Sequence, residues 1–161
     1  MLKIGSRAPE FVLKDDKGAD TSLTDLLKDG PLILYFYPAD FTPGCTKEAC
    51  SIRDIHDDLV AVGLTVAGVS PQDRDSHKRF RDEYELPFVL LSDPGKDAIK
   101  MYDVDGPLGI GVRRATFLIA QDMKIQDAVM ADIMIGRHEE FINKAIVLRE
   151  AAGMRAVHSE D

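Results

Sequence analysis

The chain is poor in cysteine: it has two, Cys45 and Cys50, within a single short stretch of its 161 residues. A pair so close together in a reducing compartment is no structural staple, and a chain of this length can bury its core without one. Either the thiols are inert core residues or they do chemistry. Long apolar runs are missing too. Nothing approaches the roughly 18–20 apolar residues needed to span a bilayer, so no membrane association is expected. The opening MLKIGSRAPEF lacks the apolar stretch of a secretory signal, which points to a cytoplasmic location. Basic residues are in deficit, with 28 Asp and Glu against 20 Lys and Arg and a net charge of −8. Nucleic acid would find no positive surface.

Metal and nucleotide signatures are equally absent. His56, His77, His138 and His158 are scattered and form no ligand spacing with each other or with the cysteines. The glycines of Asp105-Gly-Pro-Leu-Gly-Ile-Gly111 match neither a P-loop nor a dinucleotide fingerprint. No zinc site or nucleotide is therefore expected. There is no internal repeat or linker, so residues 1–161 are expected to form a single domain, with a polar tail fraying after Gly153.

What the sequence does contain is one dense stretch, PLILYFYPADFTPGCTKEACSIRDI, residues 31–55. The unbroken apolar run Leu32 to Tyr37 predicts a strand buried on both faces, ended by Pro38. Thr42 and Pro43 make an N-cap and first-turn pair for a helix whose apolar stripe is Ile52, Ile55, Leu59 and Val62, closed by Gly63. Cys45 then sits at the carboxyl end of a central strand and in the first turn of a helix, where open α/β sheets place their sites.

The remaining elements follow in order. A β-hairpin about Asp15–Gly18 leads to a capped helical turn at Ser22–Leu27. Strands are expected near residues 64–69, 86–91 and 115–120, the last pairing as a hairpin with 124–131. Asp73–Tyr84 reads as an exposed helix with one apolar edge, Lys96–Tyr102 as a brief helix, and His138–Ala152 as the terminal helix. The sum is an α/β protein with a thioredoxin-like arrangement, a central mixed β-sheet flanked by helices and an N-terminal β-hairpin.

A free thiol with pKa near 8.5 is only about 3% ionised at neutral pH. Lowering that to about 6 takes roughly 3.4 kcal/mol of preference for the anion. With an acidic chain the help must be local. The helix N-terminus offers amide donors and partial positive charge. Arg114, at the start of a strand able to neighbour the central one, offers a permanent cation, and Thr42 a hydroxyl. Pro38 shields the pocket without adding a donor. Arg113 points to the opposite side of its strand. Cys50 is rotated by roughly 140° from Cys45 on a helix, with about 8–9 Å between their Cα atoms. A disulfide tolerates about 7 Å at most, so the pair can bridge only if the helix's first turns unwind.

Pro38-Ala-Asp-Phe-Thr42-Pro-Gly-Cys45 resembles the peroxiredoxin motif of Pro, three residues, Thr, two residues, Cys. Arg114-Ala-Thr-Phe-Leu-Ile resembles that family's arginine-bearing strand, and a second cysteine five positions on is similar to the Q-type, or bacterioferritin comigratory protein, subgroup. Gly5-Ser-Arg-Ala-Pro9-Glu-Phe, Val69-Ser70-Pro71 and Leu90-Leu-Ser-Asp93 agree as well. The resemblance implies that Cys45 is the peroxidatic cysteine and Cys50 the resolving one. Thr42 would hold the peroxide, Arg114 would stabilise thiolate and transition state, Pro38 would shield the pocket, and Glu48 would sit near the arginine. It implies hydrogen peroxide and alkyl hydroperoxides as substrates and a thioredoxin-like dithiol as reductant, with no metal, haem or flavin cofactor. A monomer is favoured, since resolution within one chain needs no partner subunit. Met130–Gly136 and the loop 105–111 depart from the family's phrasing.

Two other readings compete. A thioredoxin-type thiol-disulfide oxidoreductase would prefer Cys-x-x-Cys, yet position 48 is Glu. A redox-sensing or holdase module would exploit the same unwinding but leaves Thr42 and Arg114 without a purpose.

Overall fold

In the computed structural model, which describes residues 1–159 and side chains through Gly153, the apolar run forms strand β3, Leu32–Phe36, with every residue buried. Side chains alternate across a strand, and here both faces are covered. Leu32, Leu34 and Phe36 enter one core, while Ile33, Tyr35 and the following Tyr37 enter the other.

β3 pairs in parallel with β4, Thr65–Ser70, which pairs in parallel with β5, Val89–Ser92. On its other side β3 meets β6, Ala115–Ile119, in antiparallel register, and β6 continues as a hairpin into β7, Ile125–Met130. The N-terminal hairpin, β1 (Val12–Asp15) and β2 (Asp20–Ser22), joins the opposite edge through β1 against β5. The seven strands lie in the order β2-β1-β5-β4-β3-β6-β7. This is the mixed sheet, N-terminal hairpin and thioredoxin-like layout expected. Helices α1 (Leu23–Leu26) and α5 (Asp97–Met101) cover one face. The other is covered by α2 (Pro43–Asp54), α3 (His56–Ala61), α4 (Arg74–Tyr84) and α6 (Gly136–Ser159).

Three elements differ from expectation. The helix predicted from Pro43 to Val62 is two helices, broken at Ile55 with φ −108° and ψ 8°. There the Ile55 amide bonds back three residues to Ile52 instead of four, a tightened turn that ends α2 before α3 begins, with Ile52 and Leu59 still in the same core. The terminal helix does not stop at Ala152 but runs to Ser159. Gly153 costs a helix about 1 kcal/mol relative to Ala, too little to end one followed by Met154, Arg155 and Ala156. Glu160 and Asp161, the end of the tail expected to fray, lie outside the described residues, as does the His158 side chain. Finally, α4 buries polar Ser76 and His77 beside Phe80, where only an apolar edge was expected.

Candidate active site

β3 and β6 run antiparallel with Phe36 opposite Ala115. That register sets the residue preceding Ala115, Arg114, beside the segment that leaves β3. The segment turns through Asp40 and Phe41 into α2, with Thr42 at the N-cap position. Phe41 adopts φ 63°, a left-handed conformation that costs a residue with a side chain on the order of 1–3 kcal/mol. Its ring packs edge-on to Phe80 with centroids 5.2 Å apart, and lies 6.4 Å from Tyr84, both on α4. Packing thus holds a turn that the backbone alone disfavours.

Pro43 occupies the first helical position, where a missing N–H costs nothing. Cys45 follows in the first turn, 1% exposed. Helical geometry leaves first-turn amides without an intrahelical acceptor, so the positive end of α2 lies at the sulfur. The Arg114 guanidinium, itself buried, makes a fork across two groups on α2. Nη2 donates to Cys45 Sγ at 3.2 Å and Nη1 donates to Glu48 Oε1 at 2.8 Å. Gly44 makes this approach possible: a β-carbon there would stand 3.2 Å from Arg114 Nη2 and 3.6 Å from Ile135 Cδ1. From behind, the Asp132 carboxylate accepts from the Arg114 backbone amide and from the Arg113 side chain. Arg113 itself points away, paired with Asp132 at the surface.

Glu48 is buried to 1% exposure. Burial pushes its carboxyl up to about 7, against the opposing pull of Arg114. Its Oε2 has no hydrogen-bond partner and faces His138 Nδ1 at 3.6 Å. His138 Nε2 donates to the Ala131 carbonyl at 2.8 Å, and Nδ1 accepts from the Thr116 hydroxyl at 2.8 Å. Burial holds the imidazole pKa below its ordinary value, so at neutral pH the ring is neutral and its contact with Glu48 is polar rather than ionic.

Thr42 is half-buried. Its hydroxyl donates to the Ala39 carbonyl at 2.9 Å and makes no cap bond into α2. The N-cap position was foreseen, but the side chain turns back to the loop instead of into the helix. Its proton spent on Ala39, the hydroxyl keeps lone pairs free to accept from a ligand. Pro38 is half-buried at the exit of β3. Cys50 is half-buried on α2, and both thiols are free. With α2 wound, the Cα separation of Cys45 and Cys50 is about 8–9 Å by helical rise and rotation. The structure therefore brings Cys45, Arg114 and Glu48 into direct contact, sets Thr42 and Pro38 on the loop leading into them, and leaves Cys50 apart.

Two groups at the site escaped the sequence. His138 and Thr116 back Glu48, although they lie on elements remote in the chain. Asp40, Tyr37, Ser76 and His77 form a buried network beneath the loop. No spacing connects these residues along the chain; the one signal was two polar residues, Ser76 and His77, on the otherwise charged helix that must pack. Among the described residues, no group of three or more His, Cys, Asp or Glu side chains is placed to hold a metal. No described helix is long and apolar enough to cross a membrane.

Comparison with known proteins adds to this geometry. Residues 4–128 match the family model described as the AhpC/TSA family. The Peroxiredoxin Bcp of Bacillus subtilis is 38% identical over 130 residues, covering 77% of this chain and 82% of that protein. The chloroplastic Peroxiredoxin Q of rice, Oryza sativa subsp. japonica, is 43% identical over 123 residues, 76% of this chain, which spans little more than half, 56%, of its length. Among solved structures, Peroxidoxin BcpB from Mycobacterium tuberculosis superposes with a TM-score of 0.85 at 34% identity, covering 94% of this chain and 98% of that one.

Proposed function

Because this chain belongs to the AhpC/TSA family and is, with its Bcp and Q relatives, a peroxiredoxin, we propose that it reduces peroxides at Cys45 and recycles through an internal Cys45–Cys50 disulfide. The observation that carries the reading is the Arg114 guanidinium, donating at once to Cys45 Sγ and to Glu48. A fixed cation beside the sulfur favours the anionic nucleophile. It also meets the negative charge that grows on a breaking O–O bond.

The Cys45 thiolate attacks the terminal peroxide oxygen. The S–O bond forms as the O–O bond breaks; sulfur is oxidised to a sulfenic acid, and the other oxygen leaves as water or alcohol once it has taken a proton. Thr42 accepts a hydrogen bond from the peroxide O–H, which its bond to Ala39 leaves it free to do. Pro38 limits water at the pocket mouth. The Cys50 thiolate then attacks the sulfenic sulfur; the S–S bond forms as the S–O bond breaks, and the hydroxide takes a proton from solvent and leaves as water. A dithiol protein of thioredoxin type restores both thiols by exchange, itself becoming the disulfide. Hydrogen peroxide and alkyl hydroperoxides are the substrate class, and apolar Ile133 and Met134, largely exposed, directly precede Ile135 at the site. The whole chain acts as one domain and as a monomer, in a reducing compartment such as the cytoplasm. No cofactor takes part.

Intact mass after one equivalent of hydrogen peroxide tests this. A loss of about 2 Da reversed by thioredoxin is expected in the parent, and a gain of about 16 Da in Cys50→Ser. Cys45→Ser consumes no peroxide. Steady turnover of Cys50→Ser with thioredoxin would remove the resolving role; an inert Cys45 in the parent would remove the peroxidase reading.

A further inference from the structure

The loop into α2 is fastened by a buried network that the peroxidase chemistry does not use. Asp40 is 6% exposed and His77 not at all. His77 Nε2 lies 3.1 Å from the Leu91 carbonyl, which can only accept, so Nε2 carries a proton. His77 Nδ1 lies 2.7 Å from Asp40 Oδ2. That carboxyl already accepts from two hydroxyls: Ser76 Oγ at 2.8 Å on Oδ2 and Tyr37 at 2.6 Å on Oδ1. One proton is therefore shared along the short Asp40 Oδ2–His77 Nδ1 line, and every polar atom of the carboxyl and of the ring has a buried partner. The remaining polar neighbours of the ring are neutral hydroxyls: Ser70 Oγ at 3.4 Å from Nε2 and Tyr37 at 3.3 Å from Nδ1.

Position gives the pair its consequence. Asp40 directly precedes left-handed Phe41, and Thr42 comes next. Asp40 is held by Ser76 and His77 of α4, and Phe41 by Phe80 and Tyr84 of the same helix. One face of α4, at the i, i+4 spacing of 76, 80 and 84, is thus a template for the turn that aims Thr42 and Cys45.

We propose that Asp40 and His77 are positioning residues for peroxide reduction, a buried hydrogen-bonded pair that holds the Phe41–Thr42 turn in register with Cys45 and Arg114. They touch no reacting atom and act through Thr42 and the first turn of α2. This assignment rests on the peroxidase reading.

The test compares Asp40→Asn, His77→Gln and the double variant with the parent in two reactions of Cys45. One is single-turnover oxidation by hydrogen peroxide, which needs the aligned Thr42 and Arg114. The other is alkylation by iodoacetamide, which needs the nucleophile but not the alignment. Oxidation is expected to slow by on the order of 10- to 100-fold in each single variant, the scale of a small misalignment, with alkylation and the ultraviolet thiolate band nearly unchanged. The double variant should be no slower than the worse single, since the two residues act as one unit. Peroxide rates matching the parent would overturn the proposal, and so would oxidation and alkylation falling in parallel. Ser76→Ala, which removes one bond to Asp40 and no charge, covers the case of unfolded variants; it should show the same selective loss at about 3-fold, and equal loss in both reactions, or none, would count against the pair. A parent that does not react with peroxide at all would instead sink the peroxidase reading.

Discussion

Arg114 Nη2 lies 3.2 Å from Cys45 Sγ while Nη1 of the same guanidinium lies 2.8 Å from Glu48 Oε1. One planar cation thus joins the thiol and the Glu48 carboxyl, so the arginine's orientation is fixed by Glu48 and delivered to the sulfur. A lysine supplies charge without the two-point fork. Arg114→Lys should therefore slow Cys45 oxidation by on the order of 100-fold, and Arg114→Ala by up to about 1,000-fold, the range for losing a transition-state donor. Stopped-flow rates under limiting peroxide check both. A lysine variant as fast as the parent would mean that charge alone suffices.

Glu48 links stability to pH. Its carboxyl sits near 7 in the folded protein against 4.5 for an ordinary glutamate, because burial disfavours the charge. The folded state thus binds this proton more tightly than the unfolded state does. Its full benefit is present below about pH 4.5 and is lost as pH rises through about 7. At 1.36 kcal/mol per pH unit the loss is on the order of 3 kcal/mol. Glu48→Gln cannot titrate, so the difference in melting temperature, variant minus parent, should rise between pH 5 and pH 8. A difference independent of pH would show that Glu48 carries its ordinary charge throughout.

Gly44 separates stability from activity. Alanine suits the first turn of a helix better than glycine by up to about 1 kcal/mol, so Gly44→Ala should hold or raise the melting temperature. Its β-carbon would stand 3.2 Å from Arg114 Nη2, and the guanidinium, tied to Glu48 and Cys45, must shift. Peroxide oxidation should fall by on the order of 10-fold. Thermal melts and single-turnover rates on one preparation decide it; a stable variant at the parent's rate would mean that Arg114 adapts.

The sequence exposed this site as far as local pattern can. Cys45, Thr42 and Pro38 share one strand-to-helix turn, whose signals of apolar run, proline and helical stripe are short-range. Arg114 was legible because it precedes an apolar strand, although only the β3–β6 register sets it opposite the cysteine. Glu48 lay within the same helix, but its burial depends on α6 closing over it with His138. Asp40 with His77 was not legible, because 37 positions separate them and nothing local distinguishes a histidine bound for the interior from a surface one. The break at Ile55 escaped for a related reason. No breaker residue stands there, and Ile52 and Leu59 share a helical face whether or not the helix is continuous, so the apolar stripe carries no sign of the break.

The proposed disulfide cycle requires α2 to unwind, since about 8–9 Å separates the two Cα atoms in the helix. Its stability should then set how long the sulfenic acid waits. Two residues between or beside the cysteines weaken the helix. Thr46 is β-branched, and the Ser51 hydroxyl bonds back to the Glu48 carbonyl at 2.9 Å, competing with the helix ladder. Replacing both, Thr46→Ala with Ser51→Ala, should stabilise α2 by about 1 kcal/mol. If unwinding precedes resolution, disulfide formation should slow by about 5-fold, because 1.4 kcal/mol corresponds to tenfold. The first oxidation step should keep its rate, since the wound form is the one that reacts. Under excess peroxide the delayed sulfenic acid meets a second molecule, so a larger share of chains should gain about 32 Da as sulfinic acid. Mass spectrometry across a peroxide titration reads both outcomes. An unchanged split between disulfide and sulfinic acid would place the slow step outside α2, and the route by which Cys50 reaches Cys45 would then run through motion of the loop rather than of the helix.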